Sequence, residues 1–590
     1  MSGSSLHHRR ENNGPELDSG FFTNRRIKKE PEQYKRFEDV IEQVDPLGRY
    51  QLFACFCILF AQIEWTGNLS FVNIVGSTEP NWICDHGNYT THIPQPTKNH
   101  CEEVRLCPQL KAVKDSSEFN SIVASFHLIC DDANKPQIIN IIQSFSLVCK
   151  GGDSHLGDAF GRQFMFYVCQ LAMCITSCLI VASTGWQGFA AAQFFNGIFY
   201  GLVEVESLTL LMEITNDQFR MIPNACFQTN LANVVVAFIA FMTKDWQMFF
   251  IFLNLVNLPT CMAFMLWHES PRWLLIKGET ASACDVLNDL TDHRWNGTQV
   301  KFTPRNLEKI PTDTSKKFYS FYDLFSNRRF AKQSLLQIVS MITCAVVSVC
   351  YMRVIREFNG SSILIVLLDG CVRLIIPILV IFADIKFESF TRRIQFLLAL
   401  SLMGINFMIG MILVICGVPY NSVVVTVFVT LGAMINDSVL WMNIIQVTTQ
   451  RYPTVIRCCA FGSVFCAKHI GTIIGLVVIP PILDSAFPGG AFLLPLLLIL
   501  ITLVLGGILM PETKGKALLD TMDDVDYTRV EKALPKTLVK MAALHRVMHQ
   551  DRQKKINEEN KERYDEWKKE LHNRQGDTNA AFEENVTDSE

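Results

Sequence analysis

Several ionisable side chains lie inside long apolar segments of the chain, where they could bind a polar solute. Among these residues, Glu206, Arg373, Lys468 and His469 are the candidates for a solute-binding cavity. A charged group inside a bilayer is costly, so such residues usually face a cavity or pair with one another. The basic residues Lys468, Arg373 and Arg353 slightly favour an anion or a zwitterion as the solute.

Residue spacing decides which of these groups can share a helix face. Asp369 and Arg373 are four residues apart, so they can lie on one face and form an ion pair. Glu204 and Glu206 would point about 200° apart on a helix, so at most one of them should line a given cavity. Pairing without any role in binding is the simpler alternative for Asp369 and Arg373.

Apolar residues are clustered in segments long enough to cross a membrane, and 49% of all residues are hydrophobic. Residues 487–510 form one uncharged segment, and residues 394–418 form another. About 20 apolar residues cross the hydrocarbon core as a helix, which satisfies every backbone amide within its own segment. The sequence predicts an all-α membrane protein with twelve transmembrane helices in two six-helix bundles. The twelve spans are expected at residues 50–75, 137–157, 164–183, 188–211, 223–243, 247–267, 333–353, 361–384, 393–416, 420–446, 457–480 and 487–510.

Lysine and arginine residues predict the orientation of these spans. They are frequent before the first span and between the sixth and seventh spans, so both segments are expected in the cytoplasm. The N-terminal segment has no short apolar stretch with a cleavage site, so the first span should act as the insertion signal. We predict a cytoplasmic N-terminal tail (1–49), a first bundle (50–267) with an extracellular loop (76–136), a cytoplasmic linker (268–332), a second bundle (333–510) and a cytoplasmic C-terminal tail (511–590).

The predicted extracellular loop has the features of an oxidised, glycosylated surface. It contains Cys84, Cys101, Cys107 and Cys130, which suggest two disulfides with three possible pairings. Asn88 begins an Asn-x-Thr acceptor for N-glycosylation in the same loop. These features predict a multi-pass glycoprotein of the plasma membrane.

A short motif recurs at the predicted cytoplasmic end of both bundles. Asp158 precedes Arg162 after the second span, and Glu388 precedes Arg392 and Arg393 after the eighth. Each acid can face a helix N-terminus and each arginine can hold it, which would close the inner side in one state. An ordinary turn with an ion pair is the alternative, but recurrence in both halves favours a gate. Two such halves joined by a long linker are typical of repeats that rock about a midplane cavity.

Seven short motifs between residues 37 and 516 together match the pattern of a known family. They lie at residues 37–40, 48–51, 128–131, 245–247, 269–275, 452–457 and 511–515. With these motifs the chain resembles the organic cation, organic anion and carnitine transporters of the major facilitator superfamily. The final motif is shared with sugar porters, whereas the Tyr-Pro-Thr-Val-Ile-Arg and Glu-Ser-Pro-Arg-Trp-Leu-Leu stretches together with the cysteine-bearing loop are specific.

The resemblance implies a secondary transporter that moves small organic ions or zwitterions across the plasma membrane by alternating access. Facilitated diffusion, exchange and ion coupling all stay open. It also implies gating roles for Glu269, Arg272 and Arg457. Ala159 and Gln163 stand where the family has basic residues, so the inner gate is expected to be loosened or rebalanced. A non-transporting receptor or scaffold derived from this fold is the alternative.

The resemblance also places His469 where the family has an acid in its cation transporters and an arginine in its anion transporters. Lys468 precedes it, and adjacent helical residues point about 100° apart, so only one of the two should face the cavity directly. Alternatively, Lys468 extends towards the membrane surface while His469 packs in the core. The residue at this position therefore leaves open whether the substrate is a cation or an anion.

The polar segments contain no motif for catalysis. They have no nucleophile–base pattern, phosphate-binding loop or zinc-ligand spacing, so we expect neither an enzyme nor a cofactor or metal site. The expected partners are a small organic ion and the lipid bilayer, without nucleic acid, and the coupling ion is open.

Overall fold

A computed structural model gives the fold of this chain. It describes residues 34, 36–44, 47–72, 76–86, 90–93, 101–113, 119–149, 155–216, 219–226, 229–292, 295, 300–312, 319–356, 361–387, 389–483, 485, 487–516 and 518–522. The predicted glycosylation residue Asn88 and the predicted gating residue Glu388 lie outside these ranges.

Long apolar helices form most of the structure, as the clustered apolar segments predict. Two shorter helices, Lys135–Cys149 and Trp246–Met262, occupy the second and sixth predicted spans. Together with the longer helices they confirm the twelve-helix architecture, and each is called by its span number below. Ten helices of the described residues are long and apolar enough to cross a membrane: Arg49–Phe71, Arg162–Val181, Trp186–Glu213, Met221–Thr243, Arg328–Arg356, Ser362–Lys386, Arg392–Ile415, Val423–Arg451, Thr454–Leu483 and Gly490–Leu509.

Short helical elements follow the two shorter spans. Span 2 is described as far as Cys149, and a short helix, His155–Phe160, follows after a segment outside the described residues. Asp245 caps the start of span 6, where its carboxylate accepts hydrogen bonds from the backbone N–H groups of Gln247 and Met248. Pro259 lies near the other end of span 6, where a 3₁₀ turn, Ala263–Leu266, replaces the α-helix.

The loop between spans 1 and 2 folds into a small disulfide-bonded unit. Its sheet is antiparallel, with strand Trp82–Asp85 between strands Thr90–Ile93 and Gln109–Ala112. Trp82 pairs with Ile93 on one side and with Ala112 on the other. The loop also contains helices Cys101–Leu106 and Ile122–Phe126 and a 3₁₀ turn, Cys130–Asp132.

Disulfides link the elements of this loop. Of the three pairings that the sequence leaves open, the structure has Cys84 bonded to Cys107 and Cys101 bonded to Cys130. The side chains of Trp82, Cys84 and Ile93 are buried in a separate small core. The bonds therefore supplement a core too small to hold this unit alone.

Short helices cover the opposite end of the spans. Helix Phe37–Val44 buries Phe37, Val40, Ile41 and Val44, which recur at the spacing of one helix face. The linker after span 6 begins with a helix capped by the Ser270 hydroxyl. Its elements are helices Pro271–Ile276, Thr280–Thr291 and Pro304–Leu307 and a 3₁₀ turn, Phe321–Phe325.

The two bundles meet where span 2 packs on span 11 and span 5 packs on span 8. Gly370 of span 8 allows the second contact, because a Cβ atom there would lie 2.9 Å from the carbonyl oxygen of Asn230. Large apolar side chains such as Phe241, Ile378 and Leu500 are more than half exposed on the outside of the bundles. Such an apolar exterior suits contact with lipid chains.

Candidate functional site

A cavity of about 280 Å³ lies between the two bundles. In spans 1, 2, 7 and 11 its wall comes from the helix halves nearer the disulfide-bonded loop. Polar and aromatic groups from both bundles line it, a composition suited to orienting a small organic molecule. They include Gln62, Trp65, Asn140, Tyr200, Glu204 and Asn233 from the first bundle and Ser348, Asp369, Arg373, Asp437, Trp441, Lys468 and His469 from the second.

Arg373 is the most constrained cation of this cavity. Its Nε donates to Asp369 Oδ1 at 2.8 Å, and its Nη1 donates to Asp437 Oδ2. The guanidinium carbon lies 4.5 Å from the centre of the Tyr351 ring. The Nη2 group is buried and has no hydrogen-bond partner among the described residues. The predicted pairing of Asp369 with Arg373 is therefore present, and one buried donor of the guanidinium is left without a partner among the described residues.

A π-helical turn, Asn436–Leu440, interrupts span 10 beside Arg373. Asn436 Nδ2 donates to the Cys344 carbonyl at 3.1 Å, and Ser348 donates to Asp437 Oδ1 at 3.0 Å. These bonds fix the wider turn against span 7. Such turns are frequent at functional sites because they re-aim side chains that a regular helix would turn elsewhere.

Lys468 and His469 both belong to the cavity lining, but His469 is only 2% exposed whereas the Lys468 side chain is 24% exposed, so the expectation that one of them faces the cavity directly stays a prediction. Lys468 Nζ lies 3.6 Å from Glu204 Oε1 and 4.5 Å from the centre of the Trp441 ring. The ion pair joins the two bundles, and Lys468 does not extend towards the membrane surface.

Glu206 lies outside the cavity lining, which corrects the expectation for this residue. Its carboxylate lies against Gly157 and accepts a hydrogen bond from the Cys458 thiol at 3.4 Å. Glu204 lines the cavity instead. The angular argument that only one of these two acids can do so agrees with the structure, but the rotation of span 4 selects Glu204.

The cavity wall carries charges of both signs, with one more basic residue than acidic residues. Its basic residues are Arg353, Arg356, Arg373 and Lys468, and its acidic residues are Glu204, Asp369 and Asp437. The sequence analysis proposed a single acid, Glu206, as a cavity residue, because hydropathy alone does not show which side of a helix faces the cavity. The aromatic residues Trp65, Tyr200 and Trp441 gave no sequence signal, since isolated aromatics are common in membrane helices.

Buried ion pairs close the opposite end of the bundles. Arg162 Nη2 lies 2.9 Å from Asp158 and 3.4 Å from Glu213, and Arg457 Nη1 lies 2.7 Å from Glu213. Asp158 also accepts a hydrogen bond from the backbone N–H of Cys459, near the start of span 11. Span 3, span 4 and span 11 are therefore tied together across the two bundles at this end.

The N-termini of spans 3 and 9 are capped in the same way, although not by the acids that the motif predicts. Glu269 accepts hydrogen bonds from the backbone N–H groups of Arg162 and Gln163, each at 3.0 Å. Glu512 accepts the equivalent bonds from Arg392 and Arg393 at 3.3 and 3.4 Å. The negative acid stabilises the positive end of each helix dipole.

In the second half, Asp384 is the ion-pair partner of Arg392, at 2.7 Å. The predicted partner Glu388 lies outside the described residues, so its pairing with Arg392 stays a prediction. The neighbouring Arg393 instead donates to the carbonyl oxygen of Gly507 at 2.6 Å. Gating by these groups stays a prediction.

Arg272 connects the segments just before span 1 and just after span 12 to this inner network. Its guanidinium lies 2.7 Å from Glu38 and 2.5 Å from Asp520. Burial alone would raise the pKa of Glu38, but the nearby Arg272 and Arg220 guanidinium groups outweigh it and lower that pKa to about 2. Neither Glu38 nor Asp520 lies in a motif that predicts the contact.

The chain is similar to several known transport proteins. The family model described as "Sugar (and other) transporter" matches residues 97–523. Solute carrier family 22 member 3 of Mus musculus is 24% identical over 420 residues, covering 69% of this chain and 72% of that protein. Solute carrier family 22 member 1 of Oryctolagus cuniculus is 26% identical over 432 residues, covering 71% of this chain and 74% of that protein.

Solved structures share the fold. The proton:xylose symporter XylE bound to 6-bromo-6-deoxy-D-glucose has a TM-score of 0.54 and 14% identity, covering 82% of this chain and 98% of XylE. A partially occluded, inward open conformation of XylE from E. coli has a TM-score of 0.52 and 12% identity, covering 80% of this chain and 100% of that one.

Proposed function

Because this chain belongs to the sugar (and other) transporter family of the major facilitator superfamily and is a secondary transporter of organic substrates, we propose that its substrate carries a carboxylate. The substrate is a small zwitterion or anion, and its carboxylate binds the Nη2 group of Arg373. The names of the solute carrier family 22 relatives do not specify a substrate, so this proposal depends on the cavity.

The unpartnered Nη2 group of Arg373 is the observation that carries the proposal. Asp369 and Asp437 hold the other side of the guanidinium, so the group is rigid before a ligand arrives. An arginine presents planar donors that match a carboxylate, and a buried donor without a partner is itself costly. A bound carboxylate would remove that cost.

The remaining charges favour a zwitterion over a simple anion. Asp437 has a side chain that is 31% exposed, so it can contact a cationic group while one of its oxygens holds Arg373. Trp65 and Trp441 add aromatic faces to the same cavity, and such faces attract ammonium groups. Lys468 supplies a second cation, which is paired with Glu204.

We further propose that the closed inner network and the open cavity represent the outward-facing state of an alternating-access cycle. Asp158, Glu213 and Arg457 hold the two bundles together at one end, while the cavity occupies the other end. Inward opening would separate these pairs as the bundles rock about the cavity. Gln163 stands where the family has a basic residue, but it still forms hydrogen bonds in the closed inner network. Its backbone N–H donates to Glu269, and its side-chain amide donates to the Trp267 carbonyl oxygen.

The proposed location is the plasma membrane, with both termini in the cytoplasm and the disulfide-bonded loop outside. The excess of lysine and arginine in the N-terminal tail and the linker supports this orientation. Protease digestion of an N-terminal tag on intact cells is the check. Cleavage of the tag without permeabilisation would contradict the orientation.

Exchange in proteoliposomes tests the substrate class with three solutes of similar shape. Trimethylglycine is a zwitterion, tert-butylacetate is its anionic analogue, and choline carries only the cation. We expect wild-type exchange of trimethylglycine to exceed that of choline at least roughly tenfold, the ratio produced by about 1.4 kcal/mol. Faster exchange of choline would overturn the carboxylate proposal.

Two variants of Arg373 test its role. Arg373→Met removes the donor and should abolish the preference for trimethylglycine over choline. Arg373→Lys keeps the charge but loses the planar fork, so it should retain part of the preference and controls for folding. If neither wild type nor variant exchanges any solute, while trimethylglycine still raises the melting temperature of the wild type, a receptor is the better assignment.

A further inference from the structure

Glu64 is a buried acid in the middle of span 1, and the substrate cavity does not include it. Its side chain is fully buried. One carboxylate oxygen, Oε2, accepts hydrogen bonds from Gln170 at 2.9 Å and from Asn257. The other oxygen, Oε1, has no hydrogen-bond partner among the described residues. The two side chains that donate to this carboxylate oxygen are therefore neutral amides.

The surroundings of Glu64 contain no compensating charge. The thiols of Cys174 on span 3 and Cys261 on span 6 are the titratable groups that face it among the described residues. The structure gives Glu64 no ion pair within the described part of the chain. An isolated ionised carboxylate in an apolar interior costs far more than a protonated one. A bound proton would remove that cost.

The Asn257 amide can serve both protonation states of Glu64. Its nitrogen donates to the carboxylate, whereas its oxygen, which has no partner among the described residues, could accept from a protonated carboxyl after the amide turns over. Asn257 is fully buried on span 6. The pair can therefore gain or lose a proton without leaving both hydrogen-bonding groups unsatisfied.

A short chain of hydrogen bonds connects Glu64 to the substrate cavity. The indole N–H of Trp65, which lines the cavity, donates to Gln170 Oε1 at 3.1 Å. Gln170 in turn donates to Glu64 through its amide nitrogen. A ligand that displaces Trp65 would disturb Gln170 and hence the environment of the acid.

We propose that Glu64 is a proton-binding site and that one proton accompanies each solute in the same direction. This inference rests on the proposed transport activity. The proton adds to the Glu64 carboxylate in the state with the open cavity, which is the state that receives solute. After the bundles rock, the proton leaves to water on the other side and regenerates the carboxylate.

Infrared spectroscopy tests the proton without requiring transport. In purified full-length protein at neutral pH, we expect a protonated-carboxyl band that is lost in Glu64→Gln and kept in Glu64→Asp. Melting temperatures of the variants control for folding. A wild-type spectrum that differs from that of Glu64→Gln only in ionised-carboxylate bands would overturn the proposal.

Transport in proteoliposomes then tests coupling, with whichever of trimethylglycine, tert-butylacetate and choline exchanges fastest. A gradient of about one pH unit, acidic outside, should drive up to roughly tenfold accumulation by the wild type for one proton per solute. Glu64→Gln should keep exchange between equal pools but lose the accumulation, and Glu64→Asp should restore part of it.

The outcomes separate the two proposals. Intact wild-type exchange with no response to the proton gradient overturns the proton site and leaves the transport proposal standing. A wild type that exchanges none of the solutes contradicts the proposed substrate class, and the coupling role of Glu64 with it.

Discussion

Arg373 shows how a buried ion pair can hold a binding group in place. Two of its three nitrogens bind Asp369 and Asp437, and the third has no partner among the described residues. Removing one partner of a buried ion pair commonly costs about 3–5 kcal/mol, because the other charge is left uncompensated. The acids therefore fix the orientation of the cation as well as balancing its charge.

His469 should make substrate binding depend on pH. An unperturbed histidine titrates near about 6.5, and a bound carboxylate favours its protonated form. We expect the affinity for a carboxylate solute to rise roughly threefold as the pH falls from about 7.5 to about 5.5. Equilibrium exchange in a Glu64→Gln background measures this without the contribution of Glu64.

Two variants of His469 separate binding from packing. His469→Arg places a permanent cation at this position, so the affinity for a carboxylate solute should be high at every pH tested. His469→Gln removes the cation, so that affinity should be low at every pH tested. An unchanged profile in His469→Gln would show that the residue only packs.

Glu204 and Glu206 form a matched pair for testing which acid governs selectivity. Glu204→Gln removes the partner of Lys468, so the exchange ratio of tert-butylacetate to choline should rise roughly fivefold, the ratio produced by about 1 kcal/mol. Glu206→Gln should leave that ratio unchanged, since Glu206 lies outside the cavity. A larger effect from Glu206 than from Glu204 would contradict the assigned lining.

At the scale of helices, close packing sets the contact between the bundles. Span 8 approaches span 5 at Gly370, and span 2 contacts span 11 where the Gln137 amide donates to the Leu476 carbonyl oxygen at 2.6 Å. Small residues let membrane helices pack closely because the lipid itself provides no hydrophobic drive for association. These two helix–helix contacts therefore depend on close packing and on hydrogen bonding.

Gly370→Ala should destabilise the packing contact between spans 5 and 8. The added Cβ would lie 2.8 Å from Val234 Cγ2 and 2.9 Å from the backbone oxygen of Asn230, and the backbone cannot move cheaply. We expect a loss of about 1–3 kcal/mol, measured as a lower melting temperature in detergent. Gly507→Ala is the control, because a Cβ atom there meets nothing within 4 Å. Equal melting temperatures for the two variants would refute the argument.

For the whole molecule, the inner network joins the segments that flank the first and last spans to the bundles. Arg272, at the start of the linker, binds Glu38 before span 1 and Asp520 after span 12. The backbone N–H of Leu518 also donates to Glu38 at 3.1 Å. Opening the inner side must therefore move these three segments together or break their contacts.

Acid should release this connection. The pKa of Glu38 is lowered from 4.5 to about 2, so its stabilising contribution is complete above pH 4.5 and is lost as the pH falls towards 2. That shift corresponds to on the order of 3 kcal/mol. Glu38→Gln should lower the melting temperature at neutral pH, and the difference from wild type should shrink between about pH 4.5 and pH 3. Asp39→Asn is the control at an exposed neighbouring acid, and a constant difference across this range would refute the role of Glu38.

Features that depend on local composition could be predicted from the amino-acid sequence alone. Clustered apolar residues predicted the twelve spans, because each helix must satisfy its own backbone in lipid. The cysteines of the outer loop and the pairing of Asp369 with Arg373 followed from residue type and spacing. Asp158 and Arg162 were also correctly placed as an ion pair at the end of a span.

Which distant groups meet could be known only from the packing of the helices. The structure places Glu204 rather than Glu206 in the cavity lining, pairs Asp384 with Arg392, and brings Glu213 to both Arg162 and Arg457. It also decided the disulfide pairing. These contacts depend on how each helix is rotated and how helices far apart in the chain pack, and local spacing carries no information on either.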